Sequence, residues 1–240
     1  MSVHIKILDK PNLIRTKMNC DQVINDKLLQ QGQMTEECFS TNHFTIIVGK
    51  MGSGKTSTAV SLIKTWKKCF ENIYVFMPEN SRSSIENDIF GKNLPEDQLF
   101  SELTIDNLED VYERLQENSS NGENSLILID DFQNLLKDKL VSASLEKILI
   151  KIRHLRTTAL LLAQSYQKIP KFARELAFNL ILFDLGKSAL LRIFEEVIDT
   201  KKEKFDEIIK LAFDKPHNWI LINLHKSKKL YKNFDEIIFD

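Results

Sequence analysis

From position 44 onward, short apolar runs alternate with longer segments whose apolar residues recur every three or four positions. The runs at 44–48, 72–77, 125–129, 159–163 and 179–183 each predict a buried strand, being continuous, short and bounded by polar or turn residues. Between them, 57–68 places Val60, Ile63 and Trp66 at helical spacing, and 143–155 is helical by period. The stretch 79–124 is acidic and polar, with 106–118 as its best helix and a turn at 119–122. Residues 188–213 predict one or two helices, and 219–223 with 229–239 predict a C-terminal β hairpin or edge strand. Strands alternating with helices at this spacing predict an α/β fold, with a mainly parallel central sheet covered by helices on both faces. Residues 1–43 carry no strong pattern. They read either as an edge strand with a short helix or as an arm reaching a neighbouring subunit, set before a domain at 44–240.

Composition narrows the class. A chain of 240 residues can bury one sizeable α/β core, and 42% apolar with 28% charged residues is ordinary for a globular protein. The net charge of −1 lacks the global basic signature of many small nucleic-acid binders, while leaving room for a local basic surface. Cys20, Cys38 and Cys69 are odd in number and widely spaced, which speaks against a disulfide framework or zinc site and for a reducing compartment. The apolar runs are too short to span a membrane, and the N-terminus has no apolar signal core. A cytosolic, non-secreted protein is expected.

The chemistry begins where the first strand ends. Gly49-Lys50-Met51-Gly52-Ser53-Gly54-Lys55-Thr56 lies between a strand and a helix. In that context the glycines let backbone N–H groups, with Ser57 following, curl around phosphates at a helix N-terminus. Lys55 is then placed for the β- and γ-phosphates of ATP and Thr56 for Mg²⁺. A magnesium site beside this loop also needs a carboxylate. The strand 126–129 ends in Asp130-Asp131, at the end where open α/β sheets bind ligands. Asp130 is the candidate on the metal side. Asp131 is the candidate that orients and deprotonates the attacking water, or else it caps the following helix.

The strand 159–163 ends in Gln164, which reaches the γ-phosphate or the lytic water if this strand inserts between those of Lys55 and Asp130. Upstream, Arg153 is the first candidate for a guanidinium stabilising transition-state charge, with Arg174 and Arg156 behind it. Nine Lys and Arg residues fall between 137 and 174, against only Asp138 and Glu146. A DNA-facing loop has this composition, and so does an ordinary charged helix face.

Taken in series, the glycine-rich loop, Leu126-Ile127-Leu128-Ile129-Asp130-Asp131, Arg153-His154 and Gln164-Ser165-Tyr166 followed by Ile169-Pro170 and Arg174 resemble the HerA–FtsK superfamily. Within it the chain resembles the poxvirus-type genome-packaging ATPases of large DNA viruses, virophages and polinton-like elements. The resemblance covers roughly 40–185. It implies a RecA-like P-loop NTPase of the additional-strand type, acting as a homo-oligomeric ring (pentamer or hexamer). In that picture Arg153 enters the neighbour's site and Gln164 is the sensor. Double-stranded DNA passes into a preformed capsid beside a capsid or portal protein, in the host-cell cytoplasm or virion. Family members often carry Asn where Arg156 and Glu175 or Ala177 stand, so the roles there stay open. The length also leaves no nuclease domain.

Other P-loop classes lack their marks. No Asn-Lys-x-Asp guanine reader, no Leu-Ser-Gly-Gly run and no clustered lid arginines occur. A helicase or helicase loader, and an ATP-binding assembly scaffold, remain as alternatives.

Overall fold

Ten strands form one sheet in the computed structural model, which describes residues 3–6, 38–39, 42–66, 69–85, 89–198, 202–225 and 229–239. The strands are β1 (Val3–Lys6), β2 (Phe44–Val48), β3 (Asn72–Phe76), β4 (Leu99–Phe100), β5 (Ser125–Ile129), β6 (Thr157–Ala163), β7 (Asn179–Phe183), β8 (Trp219–Asn223), β9 (Leu230–Lys232) and β10 (Asp235–Phe239). Their spatial order is β1-β10-β9-β8-β7-β2-β6-β5-β3-β4. From β7 to β4 every pairing is parallel, and from β7 to β1 every pairing is antiparallel. This is the α/β P-loop architecture that the alternating pattern predicts. The C-terminal part exceeds a hairpin, because β8, β9 and β10 extend the sheet and β1 adds to β10 as its edge. Most of segment 1–43, including Cys20, lies outside the described residues.

The helices are α1 (Lys55–Trp66), α2 (Glu79–Ser83), α3 (Ile89–Asn93), α4 (Ile105–Ser120), α5 (Lys139–Ile150), α6 (Lys171–Leu176), α7 (Lys187–Val197) and α8 (Lys202–Ala212). Two starts follow from capping. Thr104 Oγ1 accepts the N–H of Asn107 to open α4, and Asp138 Oδ1 accepts the N–H groups of Leu140 and Val141 to open α5. That cap starts α5 earlier than periodicity suggests. The helix also ends sooner, and residues 151–156 form turns.

Each strand alternates its side chains between two apolar layers. Phe44, Ile46 and Val48 of β2 face a layer built from α4, α5, α7 and α8, while Ile47 faces α1 and Phe39. Burial on both faces explains why β2, β5 and β6 read as continuous apolar runs. In register, Val48 lies opposite Ala163, and Ile129 opposite Leu161. The C-terminal ends of β2, β6 and β5 therefore emerge side by side, with β6 in the middle. That placement brings three sequence-distant motifs to one edge.

Leu160 is fully buried at the centre of β6, between β2 and β5. Leu160→Ala is expected to cost about 2–5 kcal/mol in urea unfolding, from lost transfer energy and the cavity left behind. A change below about 1 kcal/mol would contradict its place in the packed core.

Candidate active site

The loop after β2 is shaped by close approach. A Cβ on Gly49 would lie 2.3 Å from Ser53 Oγ and 2.9 Å from Phe183 Cβ, so only glycine fits there. Gly52 and Gly54 have φ of 73° and 102°, in the left-handed region. The Gly49 N–H donates to the Ala163 carbonyl of β6 (3.1 Å), tying the loop to the neighbouring strand. Lys50 and Met51 stand exposed at the tip, with Met51 at 85%. Ser53 Oγ is buried and has no hydrogen-bond partner among the described residues. An orphaned donor inside such a loop fits an external phosphate oxygen. Ser57 lies in the first turn of α1.

Lys55 is buried at the start of α1, and its Nζ donates to the Lys50 carbonyl (3.0 Å). Burial lowers its pKa, opposed by the charges of Asp130 and Asp131. Thr56 Oγ1 donates to Asp130 Oδ2 at 2.6 Å, joining the loop to the end of β5. Asp130 is 1% exposed. Burial pushes its carboxyl up to about 6; the Thr56 hydrogen bond, Lys55 and the Asp131 N–H oppose this, while Asp131's charge adds to it. A buried carboxylate so displaced has need of a cation. Among the described residues no cluster of three or more His, Cys, Asp or Glu could cage a metal alone. One carboxylate and one hydroxyl suit Mg²⁺, which keeps waters and takes further oxygens from a nucleotide. The donor set fits that ion.

Asp131 is exposed and adopts φ of 62°, an uncommon conformation that aspartate tolerates better than most residues. Its Oδ2 accepts from Ser81 Oγ of α2 (2.7 Å). It caps neither following helix: Asn134 precedes the 3₁₀ turn at 135–137 without a side-chain bond, and Asp138 caps α5. Gln164, exposed at the end of β6, shares with Asp131 a cavity of about 110 Å³, also lined by Gln133, Asn134 and Lys168. Gln133 fixes this corner, its Oε1 accepting the N–H groups of Gln164 (2.9 Å) and Ser165 (2.8 Å). The cavity has room for a few waters, each occupying about 30 Å³.

The arginines separate. Arg153 and Arg156 precede β6 and sit at the N-terminal edge of the parallel strands. The seven residues of β6 put roughly 23 Å between them and Gln164. The basic stretch therefore does not lie as a whole beside the nucleotide loop. Arg153 rests over Phe178 (5.0 Å to the ring centroid), and its guanidinium meets His225 Nε2 at 2.6 Å. Arg156 bonds Asn124 Oδ1 (3.3 Å). Arg174 is occupied by Glu196 (2.6 and 2.8 Å) and lies over Tyr166.

Three contributors escape the sequence patterns. Gln133 acts through a long-range contact that no motif announces. Ser81 comes from a short helix inside the polar stretch. His217, at φ 63°, brings Nδ1 to 3.1 Å from the Ser53 carbonyl, pressing the C-terminal strands onto the loop.

The raised Asp130 pKa has a signed consequence. A carboxyl whose folded pKa exceeds its unfolded one binds more protons when folded, so stability falls as pH rises from about 4 to about 6 and stays reduced above. Asp130→Asn keeps an acceptor for Thr56 and removes the buried charge. In urea titrations without Mg²⁺ it is expected to be more stable than the parent by about 1–3 kcal/mol at pH 8, with the advantage gone near pH 4. Equal stability at pH 8 would contradict the burial argument.

The chain superposes on the genome packaging NTPase B204 of Sulfolobus turreted icosahedral virus 2, solved in complex with ATP-gammaS, with a TM-score of 0.62 at 17% identity, covering 79% of this chain and 96% of that one. The complex of the same protein with AMPPCP also gives 0.62, over 82% and 98%. The cytoplasmic domain of the type VII secretion ATPase EccC from Thermomonospora curvata gives 0.56 at 14% identity, over 95% of this chain and 29% of that one. These likenesses establish the shared fold. No curated protein matches the sequence significantly. The family described as "Poxvirus A32 protein" matches residues 32–222, and the chain belongs to that family.

Proposed function

We propose that this chain is a viral genome-packaging ATPase that translocates double-stranded DNA into a preformed capsid as a homo-oligomeric ring of five or six subunits. The observation that carries the reading is the convergence of the glycine-rich loop, Asp130 and Gln164 on adjacent strands, with Asp131 and Gln164 on one cavity. Membership of the poxvirus A32 family and the fold shared with a packaging NTPase support it. A capsid or portal protein is the expected docking partner, in the host-cell cytoplasm or the virion. Among the described residues no helix is long and apolar enough to cross a membrane.

In this mechanism the loop N–H groups and the N-terminus of α1 receive the triphosphate of ATP. Lys55 leaves the Lys50 carbonyl and turns its ammonium to the β- and γ-phosphates. Thr56 and Asp130 would hold Mg²⁺, which would supply positive charge against the phosphate oxygens. Asp131, oriented by Ser81, takes a proton from the water that attacks the γ-phosphorus, and Gln164 aligns that water. Arg153 is too far from its own cavity to act there, so it serves the adjoining subunit, where a guanidinium in trans is worth about 10³–10⁵ in rate.

Lys55→Ala is expected to abolish turnover, with nucleotide binding lost or greatly weakened. Asp131→Asn should bind ATP within a few-fold of the parent while hydrolysis stops; normal turnover would remove Asp131 from the mechanism. Arg153→Ala alone should be inactive, yet regain activity when mixed with Asp131→Asn, because each variant supplies a different half of a shared site. Inactive mixtures that still assemble would exclude a trans role. Turnover stimulated by double-stranded DNA over single-stranded DNA separates the packaging motor from a helicase.

A further inference from the structure

The basic residues between 137 and 174 are sorted by the fold into groups. Lys147 lies 4.0 Å from the Tyr112 ring centroid, and Lys151 donates to the Tyr112 hydroxyl (2.8 Å), so both are spent on α4. Arg153 and Arg156 belong to the opposite edge of the sheet, and Arg174 is matched by Glu196. Lys137, Lys139, Lys168 and Lys171 remain. All four are exposed, and together they line a groove of about 600 Å³ between the start of α5 and the segment 167–174.

The charge balance of this groove is one-sided. Glu146 is the acid in its lining. Asp138, between the first two lysines, is turned to the N–H groups that open α5. Lys171 pairs with Glu175 at 3.3 Å, but at 80% and 62% exposure this pair is weak and exchangeable. Lys168 lines both this groove and the cavity of Asp131 and Gln164. Lys168 ends the 3₁₀ turn at 166–168 that follows β6.

We propose that this groove grips the phosphate backbone of double-stranded DNA through Lys137, Lys139, Lys168 and Lys171, with Lys168 linking DNA occupancy to the hydrolytic cavity. The inference rests on the packaging reading, which supplies the polyanion. Lysine suits such a grip because it is a mobile point charge that neutralises backbone phosphates, a contact independent of sequence. Movement along any genome needs that indifference. Four phosphate contacts would give binding a steep salt dependence, each flattening the slope of log K against log salt by about 0.9 when lost.

The triple variant Lys137→Gln, Lys139→Gln, Lys171→Gln in the full chain tests this, leaving Lys168 intact because it borders the water cavity. A mixed-sequence duplex is titrated between about 50 and 200 mM salt, and ATPase is followed with and without it. Basal turnover without DNA is expected within twofold of the parent. Stimulation by the duplex should fall at least tenfold, and the salt slope should flatten by about 2.7. A variant that binds duplex and is stimulated like the parent overturns the groove assignment and leaves the packaging reading standing. Intact duplex binding with a lower assembly mass in solution also overturns it, making the groove a protein interface. A parent chain neither bound nor stimulated by duplex overturns the packaging reading itself, and the groove with it.

Discussion

A buried carboxylate is costly in its charged form without positive charge beside it, and Asp130, at 1% exposure, has the Thr56 hydroxyl, the Asp131 N–H and a lysine that only partly compensate. The rest of the site is arranged around that unsatisfied need. The 2.6 Å bond from Thr56 holds the carboxylate against the phosphate loop, and Lys55 rests on a loop carbonyl within the same electrostatic neighbourhood. The Thr56–Asp130 contact depends on the register of β2 and β5 across β6, with Val48 opposite Ala163 and Ile129 opposite Leu161. Moving any of the three strands by one residue would turn its side chains to the opposite face and dissolve the cluster.

The parallel sheet also separates two kinds of chemistry. Its C-terminal edge carries the loop, both aspartates, Gln164 and the lysine-lined groove. Its N-terminal edge, roughly 23 Å away, carries Arg153 on a shelf of Phe178 and His225. On the proposed reading this separation makes the subunit incomplete alone: one edge reacts and the other completes a neighbour. Gln133 and His217 brace the reactive edge from elements far apart in sequence.

Much of this was legible in the chain because the strands are buried on both faces. Such strands read as continuous apolar runs, and each is followed by the residue that matters: Gly49, Asp130 or Gln164. The close packing at Gly49 and the positive φ at Gly52 and Gly54 are why that spacing is a strong signal. Spacing alone left the strand order open, showing that β6 follows β5 without showing that it slots beside β2; the resemblance to additional-strand NTPases implied that order, and the sheet has it. The basic stretch misled in part, because nine charges close in sequence are carried to both edges of the sheet and onto Tyr112. Gln133, Ser81 and His217 work through tertiary contacts of single polar residues, which leave no periodicity. The start of α5 depends on one side chain, Asp138, and periodicity alone places that helix late.

The central claim is that Asp130 and Thr56 form half of a magnesium site completed by a nucleotide. Calorimetric titration of ATP-gammaS into the chain, with Mg²⁺ and then with a chelator, tests it most directly. Binding is expected to be at least tenfold tighter with Mg²⁺, accompanied below about pH 6 by release of a proton from Asp130. Equal affinity in the two titrations, with no proton released at pH 5.5, would contradict it.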